Sequence, residues 1–322
     1  MITLPAPATI TPRGRRTRRP RGVRATPLVR AQRRLFWPFL APALVLYIVF
    51  FIVPIGADVG LSLFSWAGVG EMEFRGLDNF RRIFSDAYFR TSMVNTLLIF
   101  LVGGVATFAF AFLATLGLRE LRRTRKFARS VMFFPNLMNA LVFGSLVGLL
   151  LAPDGPVNAL LRFFGAQTMP PWLARENMFT LVLIVIIWTS TGYFVTIIMS
   201  AVDQIPVSYY EAAELDGAGP LRRLTNVTIP LAWEVISVCA ILWTISSVKT
   251  FEMVLVFGNP AGLPPVEIWT GALYVYAYSQ GATGLGARDF GIATAAALVS
   301  LVLVAVLVVL IRRILRRETI TL

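Results

Sequence analysis

The chain has no histidine, a single cysteine and only two lysines. Without histidine it lacks the commonest metal ligand and the side chain most often used as a general base. The lone Cys239 rules out a disulfide within the chain and, set in an apolar run, reads as a small packing residue rather than a reactive thiol. Neither Lys126 nor Lys249 follows a glycine, so no Gly-Lys-Ser/Thr loop exists to cradle nucleotide phosphates. Acidic residues are also few, 17 against 30 arginines plus lysines. They lie in loops or near the ends of apolar runs, not mid-run where an ion-coupled transporter would place them. These absences argue against an enzyme.

Apolar side chains are what the chain has in abundance. They make up 57% of 322 residues, with a mean hydropathy of +0.72, more than a soluble domain of this size can hide. A helix needs about 20 predominantly apolar residues to cross the hydrocarbon, and only helices or closed barrels satisfy their backbone there. Six runs qualify: Leu35 to Phe64, Met93 to Leu118, Val131 to Leu151, Phe179 to Val202, Leu231 to Phe257, and Phe290 to Ile311. The first carries Pro38, Pro42 and Pro54, which predict a kinked, shorter membrane section. It is too long for the apolar region of a signal peptide, about 7–15 residues. The fold class expected is therefore an all-α membrane protein with six transmembrane helices.

Basic residues set the orientation. On one side of the six runs, residues 1–34 carry ten, 119–130 six, 203–230 two and the tail after Ile311 four; the other side carries four, two and one in its three loops. The positive-inside rule then places both termini and the 203–230 loop in the cytoplasm. The formal net charge of +13 reflects arginine blocks beside membrane runs, not a nucleic-acid surface. Residues 1–34, proline- and arginine-rich without periodicity, read as a disordered cytoplasmic tail with a topogenic role and lipid headgroups as its neighbours. Residues 35–322 form the transmembrane domain.

Within that domain YYEAAELDGAGPLRRLTNVTIPLAW, from Tyr209 to Trp233, is a polar, glycine-broken passage between two apolar runs. Ser208 three residues before Glu211 has the spacing of a capping box, so a short helix should start there. Ala212 and Ala213 give it a small-residue face, Asp216 follows, and Gly217 with Gly219 stops it before Pro220 opens a second turn. Pro230 begins the fifth span. Two short helices joined by a glycine hinge are expected, and from the residues alone an ordinary amphipathic connector remains open.

EAAELDGA (Glu211 to Ala218) followed by VTIP (Val227 to Pro230) resembles the EAA signature of the membrane subunits of binding-protein-dependent ABC importers: EAA, a glycine four residues later, then I-x-L-P. Other stretches resemble the carbohydrate permeases of the maltose and glycerol-phosphate type. They are FRGLDNFRRIF (Phe74 to Phe84), RSVMFFPNLMNALVFG (Arg129 to Gly144), GPVNALL (Gly155 to Leu161) and WTSTGYFVTIIMSAVDQIP (Trp188 to Pro206). FGNPAGLPP (Phe257 to Pro265) departs from the family's T-x-G-G-P turn. The resemblance implies the type I ABC importer permease fold in a bacterial inner membrane. It implies a loop, 203–230, that docks into an ATPase subunit through Glu211, Ala212, Ala213, Asp216, Gly217 and Pro230. The expected partners are a second permease subunit, two ATPase subunits that bind the ATP, an extracytoplasmic solute-binding protein and a carbohydrate substrate; no cofactor, metal or nucleic acid is expected on this chain. A permease for another solute, and an ion-coupled secondary transporter, are the alternatives.

Laid beside the maltose-type permeases, Thr189, Ser190 and Tyr193 of the fourth span and Trp243, Ser246, Ser247 and Thr250 of the fifth fall where that family contacts sugar. Hydroxyls match sugar hydroxyls and aromatic faces stack on pyranose rings. Spacings of three and four residues put each set on one helix face, although serine and threonine also serve helix packing in membranes. Lys249 and Glu252, three apart near the outer end of the fifth span, read either as a self-paired structural couple or as functional ionisable groups at membrane depth. Asp58, Glu234 and Asp289 mark span ends.

Overall fold

The computed structural model describes residues 27–121, 124–257, 262–281 and 288–316. The arginine-rich segment through residue 26 and residues 258–261 of the FGNPAGLPP turn lie outside them. The chain divides into two compact units, one ending at Ile55 and the other beginning at Gly56.

In the first unit a helix runs from Pro27 to Tyr47 and continues as a π turn over Ile48–Ile52. Residues 27–34, read from the sequence as part of the tail, belong to this helix. Pro38 and Pro42 sit inside this helix. The π turn has a local cause: Pro54 offers no N–H, its ring crowds the carbonyl four residues back, and the Val53 N–H reaches five back to Ile48. The first span, Phe36–Leu61, stays long enough to cross a bilayer. The expected kink is absorbed as a widened turn.

The second unit carries the remaining spans: Ala87–Arg119, Arg175–Val202, Trp233–Leu255 and Phe290–Leu315, plus the pair Arg125–Leu137 and Ala140–Leu150. That pair replaces the single third span expected over Val131 to Leu151. Its two helices meet at 97°. Pro135 ends the ladder of the first, Met138 is extended, and the Asn139 carboxamide accepts the Leu141 N–H at 2.8 Å to cap the second. The fourth span, Arg175–Val202, is the centre of packing, burying Val182, Val185, Phe194, Val195, Ile198 and Met199 against its neighbours. Lipid supplies no hydrophobic drive between helices, so this close packing itself is the cohesion.

Several hydroxyls inside the spans satisfy themselves locally, although the buried Thr107 hydroxyl does not. Thr115, Thr191, Thr196 and Thr244 each donate to the carbonyl four residues back, at 2.7–3.0 Å, as they must where water is absent. Three buried asparagines, of which Asn95 lies within the second span, pin the connecting segments. Asn79 donates to Ser62 and Phe64, Asn95 to Glu267 and Trp269, and Asn158 to Ala152 while accepting the Trp172 indole N–H. Among the described residues the otherwise helical fold contains one hairpin of two-residue strands, Phe64–Ser65 against Glu73–Phe74, and Asn79 locks a short helix, Asp78–Ser85, beneath it.

Candidate functional site

The loop between the fourth and fifth spans folds as two short helices. The first runs Val207–Leu215 from Pro206, which caps it without a side-chain bond. The expected capping box does not form: Ser208 lies inside the first turn, and no hydrogen bond joins it to Glu211. Gly217 follows at φ +76° with open space where a Cβ would stand, so the turn needs glycine for its backbone angle alone. The Ala218 N–H bonds to Ala213 at 2.9 Å and the Gly217 N–H to Glu214 at 3.0 Å, a Schellman stop. Pro220–Arg223 forms the second helix, and a π turn over Leu224–Thr228, opened by Pro230 as Pro54 opens the first, leads into the fifth span.

One face of this loop is locked and the other is free. Tyr210 is buried, its hydroxyl 3.1 Å from that of Thr228, and the Arg119 guanidinium lies 3.4 Å above its ring. The first bond joins the first short helix to the π turn that leads into the fifth span, and the second ties that helix to the second span, each contributing about 1 kcal/mol. Arg223 reaches Glu214 at 3.4 Å, and at the loop's entry Asp203 is held by Arg125 and, at 3.7 Å, by Arg129. The opposite face exposes Glu211, Ala212 and Asp216 beside Leu215, which is 91% exposed, and Leu221, 67% exposed.

The fourth and fifth spans place the seven candidate path residues unequally. Ser190, Tyr193 and Ser246 are partly or fully exposed, and their hydroxyls have no hydrogen-bond partner among the described residues. Thr189 and Thr250 are half-buried, bonded to the carbonyls of Val185 and Ser246. Ser247 is buried and donates to Thr244. Trp243 is only 4% exposed, its N–H donates to Phe100 at 2.9 Å, and its ring fills the notch left by Gly103 and Gly104 on the second span. Trp243 and Ser247, both expected on the path, are thus packed inside the protein, unlike Ser190, Tyr193 and Ser246. Lys249 and Glu252 do not pair with one another; both are exposed.

Away from this face, a polar cavity of about 750 Å³ is lined by Asp86, Tyr274, Tyr278, Arg82, Arg288 and Asp289 among others. Asp86 caps the second span and accepts the hydroxyls of Tyr274 at 2.7 Å and Tyr278 at 3.0 Å. Burial pushes the Tyr274 phenol well above its ordinary value, and the hydrogen bond to the Asp86 carboxylate adds to the shift.

The sequence profile described as the inner membrane component of binding-protein-dependent transport systems matches residues 108–320. The chain belongs to this family. It is thus a multi-pass inner-membrane permease subunit and not an enzyme. It is 32% identical over 244 residues to the lactose transport system permease protein LacF of Rhizobium radiobacter, covering 74% of this permease and 81% of that one. It is 28% identical over 256 residues to the polygalacturonan/rhamnogalacturonan permease YteP of Bacillus subtilis, covering 78% and 80%. A crystal structure of a bacterial ABC transporter that imports the polysaccharide alginate shares the fold, with a TM-score of 0.75 at 23% identity over 91% of this permease and 99% of that chain.

Sequence reasoning missed the permease's loop locks. Asp203, Tyr210, Thr228 and Arg119 are distant or ordinary in sequence, and only folding brings them together. It also missed the exposure of Leu215 and Leu221.

Proposed function

We propose that this permease forms one half of the pathway of an ATP-driven carbohydrate importer, with its 203–230 loop as the docking element for an ATPase subunit. The observation that carries the reading is the two-faced loop. Its inner face is fixed to the second span and the broken third through Arg119, Arg125 and Arg129. Its outer face offers Glu211, Ala212, Asp216, Leu215 and Leu221 to a soluble partner. A push on the outer face is thus transmitted to the spans instead of being absorbed by the loop.

In this reading both termini and the loop are cytoplasmic, and the ATP is bound by two ATPase subunits. A second permease closes the pathway, and an extracytoplasmic binding protein delivers the solute. The solute passes along the face that carries Ser190, Tyr193 and Ser246, with Thr189 and Thr250 at its margin. Free hydroxyls beside one half-exposed aromatic ring suit a sugar, and the lactose and polygalacturonan permeases among the relatives support that class. The test is uptake by proteoliposomes holding the assembled transporter and its binding protein, assayed over a panel of labelled saccharides. ATP-dependent uptake of at least one saccharide is expected, and it should fall in Tyr193→Ala. Uptake of amino acids or inorganic ions with no saccharide transported would contradict the carbohydrate reading.

A further inference from the structure

The start of the fifth span and the end of the sixth enclose a groove of about 630 Å³. Trp233 bridges it, its indole N–H donating to the Leu315 carbonyl at 2.7 Å, so the two walls are tied together. Deeper in, Val238, Ile241 and Val309 line an apolar trough, with Val238 49% and Val309 50% exposed. At the mouth stand Arg312, Arg313 and Arg316, all exposed and in none of the ion pairs among the described residues. Glu234 is the one acidic group among the described residues that line the groove, and it too is in none of their ion pairs.

Two ordinary roles account for part of this. Arginine in the last turn complements the helix dipole, and arginine flanking a span fixes its orientation. Neither requires a trough, and neither requires three guanidinium groups to converge on one. A groove that is apolar toward the membrane and triply cationic at its mouth matches an acyl chain ending in an anionic headgroup. We propose that this groove binds an anionic phospholipid, with its phosphate among Arg312, Arg313 and Arg316 and an acyl chain along Val238, Ile241 and Val309. The leaflet is the one on the side of the 203–230 loop, because Pro230 and Leu231 line the same groove. The lipid therefore rests against the elbow where the loop enters the fifth span.

The test compares lipid retention by the detergent-purified, assembled transporter and by two variants. One replaces Arg312, Arg313 and Arg316 with glutamine; the other, Val238→Trp, fills the trough and keeps every arginine. Native mass spectrometry during titration with phosphatidylglycerol and phosphatidylcholine reads the outcome. The wild-type transporter should bind phosphatidylglycerol at least tenfold more tightly than phosphatidylcholine, and each variant should lose most of that preference. Glycerol phosphate should not compete, since it lacks the chain. If the glutamine variant fails to insert, Val238→Trp decides alone. Equal binding of both lipids by the wild type, undiminished preference in Val238→Trp, or displacement by glycerol phosphate would overturn the proposal. So would cross-linking of Val238→Cys to a partner subunit in place of lipid.

Discussion

Truncating Trp243 to alanine empties the notch at Gly103 and Gly104 and leaves the Phe100 carbonyl without its indole donor. We expect a loss of about 3–5 kcal/mol, seen as lower expression and a lower melting temperature in detergent. Tyr193→Ala, at a half-exposed ring with no hydrogen-bond partner, should leave melting within a few degrees of wild type and reduce uptake. Equal destabilisation by the two substitutions would show that Tyr193 also is a packing group. Tyr274 provides a test against pH. Its buried hydroxyl donates to Asp86, so the folded form holds its proton to higher pH than the unfolded chain, whose tyrosines ionise near pH 10. The stability it contributes is whole below about pH 10 and declines above it, as the unfolded chain gives up the proton first. Melting temperature should fall as pH rises above about 10, and Tyr274→Phe should flatten that fall.

The 203–230 loop depends on bonds between its elements more than on helix propensity, since its helices of nine and four residues are too short to be stable alone. Tyr210→Phe deletes the link to Thr228 and should cost about 1 kcal/mol. Asp203→Asn, at a partly exposed ion pair, should cost about 0–1 kcal/mol and matter less in high salt. Limited proteolysis of the loop checks both, with faster cleavage expected in Tyr210→Phe. The two helices and the glycine stop could be read from the sequence because Gly217, Gly219 and Pro220 act through local backbone geometry. The capping box at Ser208 failed because Pro206, with its fixed φ, starts the helix two residues earlier. The third span was legible as an apolar run but not as two helices. A proline and an asparagine four apart are each tolerated in a continuous helix, and what the chain does there is decided by packing on the fourth span. The path residues divided for a similar reason: burial of Trp243 depends on two glycines of the second span, far away in sequence.

Across the whole molecule, the account requires the two faces of the membrane to be distinguishable by charge. Reporter fusions after Arg123 and Asp216 should be cytoplasmic, and those after Asp154 and Gly284 external; an external signal from either of the first two would refute the orientation. The central claim is that the loop carries motion between an ATPase and the spans, and Gly217 tests it most directly. Its positive φ costs a residue with a Cβ about 1–2 kcal/mol, nothing crowds it, and no span is touched. Asparagine adopts that conformation far more readily than valine. Gly217→Val and Gly217→Asn should therefore both insert and assemble with the second permease. ATPase co-purification and ATP-dependent uptake, measured on the same membranes, should be lost in the valine variant and largely retained in the asparagine variant. Normal ATPase binding and normal uptake in Gly217→Val would contradict the account.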